Sequence, residues 1–514
     1  MNDLSKALHD LSPKQRAVLE LRLRQHRAER PRDGIGRQSR TSDLLPLSFA
    51  QQRLWFIDQL QPGSTFFNIR SAVRLTGQLA TAALEQSLTE IIRRHDVLRT
   101  TFKTVEGQAF QVIDQTPRFK LPFTDLGELP AAARQVELRR LIDVESSQAF
   151  DLAVGPLLRA RLIRLAAEEH ILLFTIHHII SDGWGMNIII QEVATLYEAL
   201  LLGRQSPLPE LPIQYADYAI WQRELLRGNV LEAQLVYWKR QLAGSPALLN
   251  MADNRRPAWQ SFRGATQQQR LPPSLAAALK DLANREGVTL FMLLLAVFKV
   301  LLCQRTGQED IVVGSPLANR NHVELEGLIG LFANPLVLRT SLASDPSFRE
   351  VLNRVKEVTL GAHAHQEIPF QKLVDELQVP RNLSYHPLYQ VAFTLDNPRP
   401  IGVELPGLTL SPVESGGVTA QLDLVLHMTD SGQELLAFWQ YSADLFDAAT
   451  INQLAATFRV LLEHVTGQPE ARLSELRATL IEANRQQRRA RDEEIEKTVR
   501  HKLKLVKRKA VSRV

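Results

Sequence analysis

Apolar residues recur three and four positions apart over 48–60 (SFAQQRLWFIDQL) and 84–97 (LEQSLTEIIRRHDV), the period of a helix with one buried face. Between them, 68–76 (NIRSAVRLT) predicts a strand, with Ile69, Val73 and Leu75 on one face and Arg70 and Arg74 on the other. The stretch 171–180 (ILLFTIHHII) is apolar almost without interruption, as in a deeply buried strand, and carries two histidines near its end. The second half repeats the style. It predicts a buried helix at 290–302, a short strand at 310–314, and further strands at 388–395 and 435–441. From 44 to about 470 strands and helices alternate without a short repeat, which predicts an α/β body of two similar lobes. The join is expected near a helix at 215–227, after the stiff crossing marked by Pro207, Pro209 and Pro212.

The ends differ from this body. Ser12 as N-cap, Pro13 in the first turn and Gln15 completing a capping box predict a helix over 12–30, followed by a linker at 31–43 without apolar period. The expected organisation is therefore a helix and linker at 1–43, a first lobe at 44–214, a second at 215–470, and a basic helical tail or linker at 471–514. The chain is 514 residues long, 45% hydrophobic and 23% charged, which excludes global disorder and suits two or three compact units.

The net charge of +5 is unevenly placed: ten Lys/Arg face five Asp/Glu over 1–40, and twelve face four over 484–514, leaving 41–483 at −8. A basic nucleic-acid groove in the body is therefore not expected. The tail is expected to be a detachable helical linker or docking element toward a downstream partner. Cys303 is the single cysteine, so no internal disulfide or cysteine-rich metal site can form, which suits a reducing compartment. Charges interrupt the N-terminus before a secretory apolar stretch develops, so cytoplasm is the expected setting. The apolar run 288–303 is short for a bilayer and contains Lys299, so it reads as a core helix and no membrane partner is expected.

The sharpest chemical feature is His177-His178-Ile179-Ile180-Ser181-Asp182-Gly183. On a strand, adjacent side chains diverge, so His177 and His178 should not share a role: one enters a cavity and the other is held in the body. A histidine takes or shares a proton near neutrality, which suits an attacking amine or alcohol. Asp182 is placed to orient neighbours by a hydrogen bond or an ion pair with an arginine, and Gly183 to let a substrate approach closely. The bland alternative is two histidines that end a strand for packing. Zinc is disfavoured because adjacent strand residues diverge and no Cys or His-rich partner motif accompanies them, so no metal is expected.

This run resembles the HHxxxDG motif of condensation domains of nonribosomal peptide synthetases, relatives of chloramphenicol acetyltransferase. Further motifs of that family are similar in order: 48–55 (SFAQQRLW), 94–102 (RHDVLRTTF), 215–221 (YADYAIW), 329–335 (IGLFANP), 365–370 (HQEIPF) and 381–388 (RNLSYHPL). The resemblance implies an α/β fold of two chloramphenicol acetyltransferase-like lobes arranged as a V around a central tunnel. It implies that His178 faces the meeting point of two substrates, that the Gly183 amide donates to developing charge, and that Arg320 pairs with Asp182. His177 is a supporting residue, and Trp184, Gly185 and Asn334 are tunnel-lining candidates. Most residues of the outer motifs, Arg53 and Trp55 among them, read as packing between the lobes.

The implied reaction joins a carrier-bound acyl or peptidyl thioester to a carrier-bound amine. The implied partners are donor and acceptor carrier proteins whose phosphopantetheine arms bring the substrates, within a multi-enzyme assembly line; no cofactor is expected to be bound covalently to this chain. Gly185 stands where many members carry Ser and Pro335 where many carry Thr, which leaves donor and acceptor preference open. The histidine motif of dual epimerisation and condensation relatives is missing around Leu44, and no carrier motif precedes the first motif, so the donor is expected in trans. The alternatives are a free-standing acyltransferase acting on a soluble amine or alcohol, and an inactive platform that recruits other proteins. The intact histidines, Asp182 and Gly183 argue against the platform.

Overall fold

The computed structural model describes residues 34–40, 42–116, 119–380, 382, 384–396, 405–413, 418–482 and 485. The helix expected at 12–30 and the basic segment 486–514 lie outside them. Fourteen strands occur among the described residues: β1 (Leu45–Pro46), β2 (Asn68–Gly77), β3 (Thr100–Val105), β4 (Gln108–Ile113), β5 (Phe123–Asp125), β6 (Leu158–Ala166), β7 (Glu169–His177), β8 (Gly264–Leu271), β9 (Asp310–Leu317), β10 (Asn334–Ser341), β11 (Val391–Asp396), β12 (Leu408–Pro412), β13 (Leu424–Asp430) and β14 (Leu435–Ser442).

They form sheets ordered β12-β2-β7-β6-β5, β10-β9-β11-β13-β14-β8 and β1-β4-β3. The two larger sheets share a motif. In the first, β2 pairs antiparallel with β7, β7 antiparallel with β6, and β6 parallel with β5. In the second, β8, β14, β13 and β11 repeat those three relations. After β7 the helix Gly183–Leu201 starts on the N-cap Asp182, and after β14 the helix Ala448–Gly467 starts on Asp447. The expected similarity of the lobes is thus a repeated topology.

The halves are also interlocked, which period alone does not reveal. The helix Tyr215–Leu225, expected to open the second lobe, buries Tyr215 and Tyr218 in the first core. From later in the chain, Leu325, Leu328, Ile329, Leu331 and Phe332 enter that same core, and β12 extends the first sheet by pairing with β2. At the other boundary, Ala471, Leu473, Leu476 and Leu480 pack into the second core, so the segment expected to start a basic tail at 471 continues the body. The linker expected at 31–43 is docked where described: Ile35 is 3% exposed, the Gln38 amide donates to Asp217, and Arg40 pairs with Asp96 and Asp217.

The second core wraps the helix Leu290–Thr306, whose stretch Met292–Leu302 is buried all round and, Lys299 apart, apolar all round. Lys299 lies at its centre, fully buried, and its ammonium donates to the carbonyls of Ile311 and Leu338 on β9 and β10. Burial pulls its pKa down to about 7. Among the described residues no single helix is long and apolar enough to cross a membrane.

Candidate active site

The strand expected over 171–180 stops at His177, and His178–Ile180 form one turn of 3-10 helix. Apolar composition continues through Ile179 and Ile180, but strand pairing does not. The His178 amide donates to the Phe67 carbonyl at 2.8 Å, and the Ile179 amide turns back onto Nδ1 of His177 at 3.2 Å. The two histidines diverge as expected, through this turn rather than through strand alternation.

His177 is buried between the rings of Phe67 and Phe150, and burial together with the neighbouring His178 pulls its pKa down to about 3. It is a neutral structural acceptor. His178 is half-buried. Its Nδ1 lies 2.6 Å from the Ser181 carbonyl, an oxygen that only accepts, so Nδ1 carries the proton and Nε2 carries the lone pair. Among the described residues no hydrogen bond occupies that Nε2. Burial lowers the pKa of His178, and the Arg53 charge adds to the effect against the raising influence of Ser181 and Asp182. The ring is therefore neutral near pH 7, with one nitrogen fixed and the other open.

Gly183 opens the following helix, is exposed, and has nothing within 4 Å of the position a Cβ would take. Its value here is open space at a helix N-terminus rather than unusual backbone geometry, since its φ lies outside the left-handed region. Asp182 caps that helix: Oδ1 accepts from the Gly185 amide at 2.9 Å and from Arg320 Nη2 at 3.3 Å, while Oδ2 accepts from the Phe332 amide at 3.1 Å. Arg320 also donates to the Leu325 and Leu328 carbonyls and lies over the Phe332 ring at 4.1 Å. The Asp182 and Arg320 side chains are 4% and 2% exposed. The pair joins the turn bearing His178 to the loop after β9 beneath the surface.

Three residues expected along a tunnel take structural parts. Trp184 is 40% exposed, donates its indole N–H to the Glu326 carbonyl at 3.0 Å, and covers Arg320. Gly185 is buried, and a Cβ there would lie 2.6 Å from Ser181 Oγ. Asn334 is consumed by the segment 366–370: Nδ2 donates to the Gln366 and Ile368 carbonyls, and Oδ1 accepts from the Phe370 amide. Its side-chain amide is a clamp.

Arg53, expected to pack between the lobes, also makes a specific polar contact. It reaches from the helix Phe49–Leu60 to Nε2 of His386 at 2.9 Å and lies 5.2 Å from the centre of the Phe370 ring. His386 turns Nδ1 toward the Pro387 and Tyr389 carbonyls, so Nε2 accepts from Arg53. Burial and the Arg53 charge pull its pKa down to about 3. These partners lie 333 positions apart, beyond any local pattern. Phe67 and Ser181 were likewise missed as supports, because both hold His178 through backbone carbonyls that any residue type supplies.

A family model described as Condensation domain matches residues 41–487. The chondramide synthase cmdD of Chondromyces crocatus is 43% identical over 435 residues, which are 85% of this chain and 11% of that protein. The linear gramicidin synthase of Brevibacillus parabrevis has a component that is 47% identical over 435 residues, 84% of this chain and 6% of that component. The chain thus spans about a tenth or less of the length of these curated relatives. Among solved structures, the X-domain in complex with OxyB from teicoplanin biosynthesis superposes with a TM-score of 0.79 at 32% identity, covering 87% of this chain and 98% of that one. The condensation domain from Monacolin K polyketide synthase MokA has a TM-score of 0.72 at 23% identity, over 84% of this chain and 99% of that one, a likeness of fold alone. The fold is that of the chloramphenicol acetyltransferase-like proteins. The family match takes in the whole constellation, from Ser48 through the His177–Gly183 turn to Arg320 and Asn334, and this chain belongs to the condensation domain family.

Proposed function

We propose that the chain joins a carrier-bound acyl or peptidyl thioester to the amine of a carrier-bound amino acid, forming an amide. The observation that carries this reading is His178, neutral, with Nδ1–H committed to the Ser181 carbonyl and Nε2 unoccupied. A thioester is already activated, so holding two tethered reactants together supplies much of the rate. The amine nitrogen bonds to the carbonyl carbon and the carbon–sulfur bond breaks. His178 Nε2 orients the amine, receives its proton and passes it to the departing thiolate. Negative charge developing on the carbonyl oxygen meets the Gly183 amide and the positive end of its helix.

The proposed partners are donor and acceptor carriers of a cytoplasmic peptide assembly line, with no nucleic acid or membrane in the reaction. Their phosphopantetheine arms supply the substrates as thioesters, and the open space at Gly183 suits the close approach of a narrow arm. The domain boundaries remain proposed at 44 and near the helix Tyr215–Leu225, with Asp182–Arg320 holding the halves in register.

The test is incubation with donor and acceptor carriers loaded with candidate groups, read by intact mass. The expected result is a mass gain on the acceptor carrier equal to the donor acyl group. Gain on a soluble amine or alcohol instead identifies a free-standing acyltransferase, and no transfer by folded protein across the panel identifies a recruitment platform.

A further inference from the structure

The first lobe meets segments that flank the second sheet at two places. One is Asp182 against Arg320, three residues past the end of β9. The other is Phe66 stacked on Phe262 at 3.7 Å, just before β8; Phe66 adjoins Phe67, whose carbonyl holds His178. In the order β10-β9-β11-β13-β14-β8, the strands between those flanks are β11, β13 and β14. One face of these strands is core, through Phe393, Leu426 and Trp439. Side chains alternate along a strand, so Thr394, His427 and Gln440 point the other way, and all three are half-buried.

These three form a chain of hydrogen bonds. Gln440 Nε2 donates to the Thr419 carbonyl at 2.6 Å, which turns Oε1 toward His427 Nε2 at 3.2 Å. That nitrogen therefore carries a proton, and in the neutral imidazole Nδ1 accepts from the Thr394 hydroxyl at 2.8 Å. Among the described residues, both lone pairs of Thr394 Oγ1 and one of Gln440 Oε1 stay unused. A cluster with surplus acceptors fits a partner that donates.

We propose that Thr394, His427 and Gln440 are a specificity-determining element on the wall opposite His178, selecting substrates whose side chain presents a neutral hydrogen-bond donor, a hydroxyl or carboxamide, over hydrocarbon isosteres. This rests on the reaction proposed above. The donor and acceptor groups are the two sources of such a side chain. A site built to pair a substrate hydroxyl rejects the analogue lacking it, because its own polar groups are then left unpaired.

Threonine and valine differ by hydroxyl against methyl at nearly equal shape. The full chain is given a mixture of threonyl and valyl groups, first on the acceptor carrier and then on the donor carrier, and product ratios are read by mass. In parallel, the affinities of threonyl and valyl pantetheine amides are measured by calorimetry. Wild type is expected to favour threonine by about tenfold or more in one arm and in binding. Thr394→Val, which is nearly isosteric, and His427→Phe are expected to bring that ratio close to one at unchanged melting temperature. Equal ratios in both arms with equal affinities, or a preference that survives both substitutions, would overturn the assignment. Preferential binding of the threonyl amide without transfer in either arm would sustain it while refuting the proposed reaction.

Discussion

Asp182 and Arg320 lie 138 positions apart, yet meet at 3.3 Å with both side chains almost wholly removed from water. The contact fixes the turn bearing His178 against the loop after β9. Asp182 is simultaneously the cap of the helix Gly183–Leu201 and the acceptor of the Phe332 amide, so three structural tasks converge on one carboxylate.

Removing either partner leaves a buried charge uncompensated. Arg320→Ala or Asp182→Ala is expected to cost about 3 to 5 kcal/mol in urea unfolding. Arg320→Lys keeps the charge but loses the fork that also serves the Leu325 and Leu328 carbonyls, and falls between wild type and Arg320→Ala. Unchanged unfolding midpoints in both alanine variants would contradict this role.

Two histidines, buried His177 and half-buried His386, give stability an acid limb. His177 and His386 have folded pKa values near 3, against about 6.5 in an unfolded chain. Above pH 6.5 neither state binds the proton. As pH falls from there toward 3, only the unfolded state gains it, so stability drops by about 1.4 kcal/mol per pH unit for each histidine. His177→Asn retains an acceptor and is expected to lessen that slope by one histidine's share. An unaltered slope between pH 6 and 4 would contradict it.

Gly330 is set against Tyr215: a Cβ there would lie 2.0 Å from the ring. The ring cannot withdraw cheaply, because its hydroxyl donates to the Leu331 carbonyl at 2.6 Å and meets Ser48 Oγ at 2.8 Å. Gly330→Ala is expected to destabilise by about 1 to 3 kcal/mol through overpacking. Tyr215→Phe, which removes the hydroxyl alone, is expected to cost about 1 kcal/mol. A thermal melt of Gly330→Ala matching wild type would show that the ring has room to move.

The parts legible in sequence were those whose cause is local. Alternation marked β2, unbroken apolar runs marked β7 and the helix Leu290–Thr306, and the spacing in 177–183 marked the turn that bears His178. Ends were less legible: Ile179 and Ile180 extend the apolar run past His177, while the bonds to Phe67 and Ser181 that end the strand come from backbone carbonyls. The lobe exchange was hidden for another reason. Leu328, Phe332 and Tyr215 look like any core residues, and nothing in their spacing says which core they fill. Asn334 illustrates the limit of a motif, which marked the position without revealing that its amide is consumed by the turn at 366–370.

In the proposed reaction the open Nε2 of His178 carries acyl transfer while Nδ1 fixes the ring. The direct measurement is the rate of acyl movement between loaded carriers, by intact mass, for wild type and His178→Ala, with melting temperatures recorded beside it. The expected result is a loss of about a hundredfold or more at a melting temperature close to wild type. A folded His178→Ala protein that transfers the acyl group at the wild-type rate would contradict it.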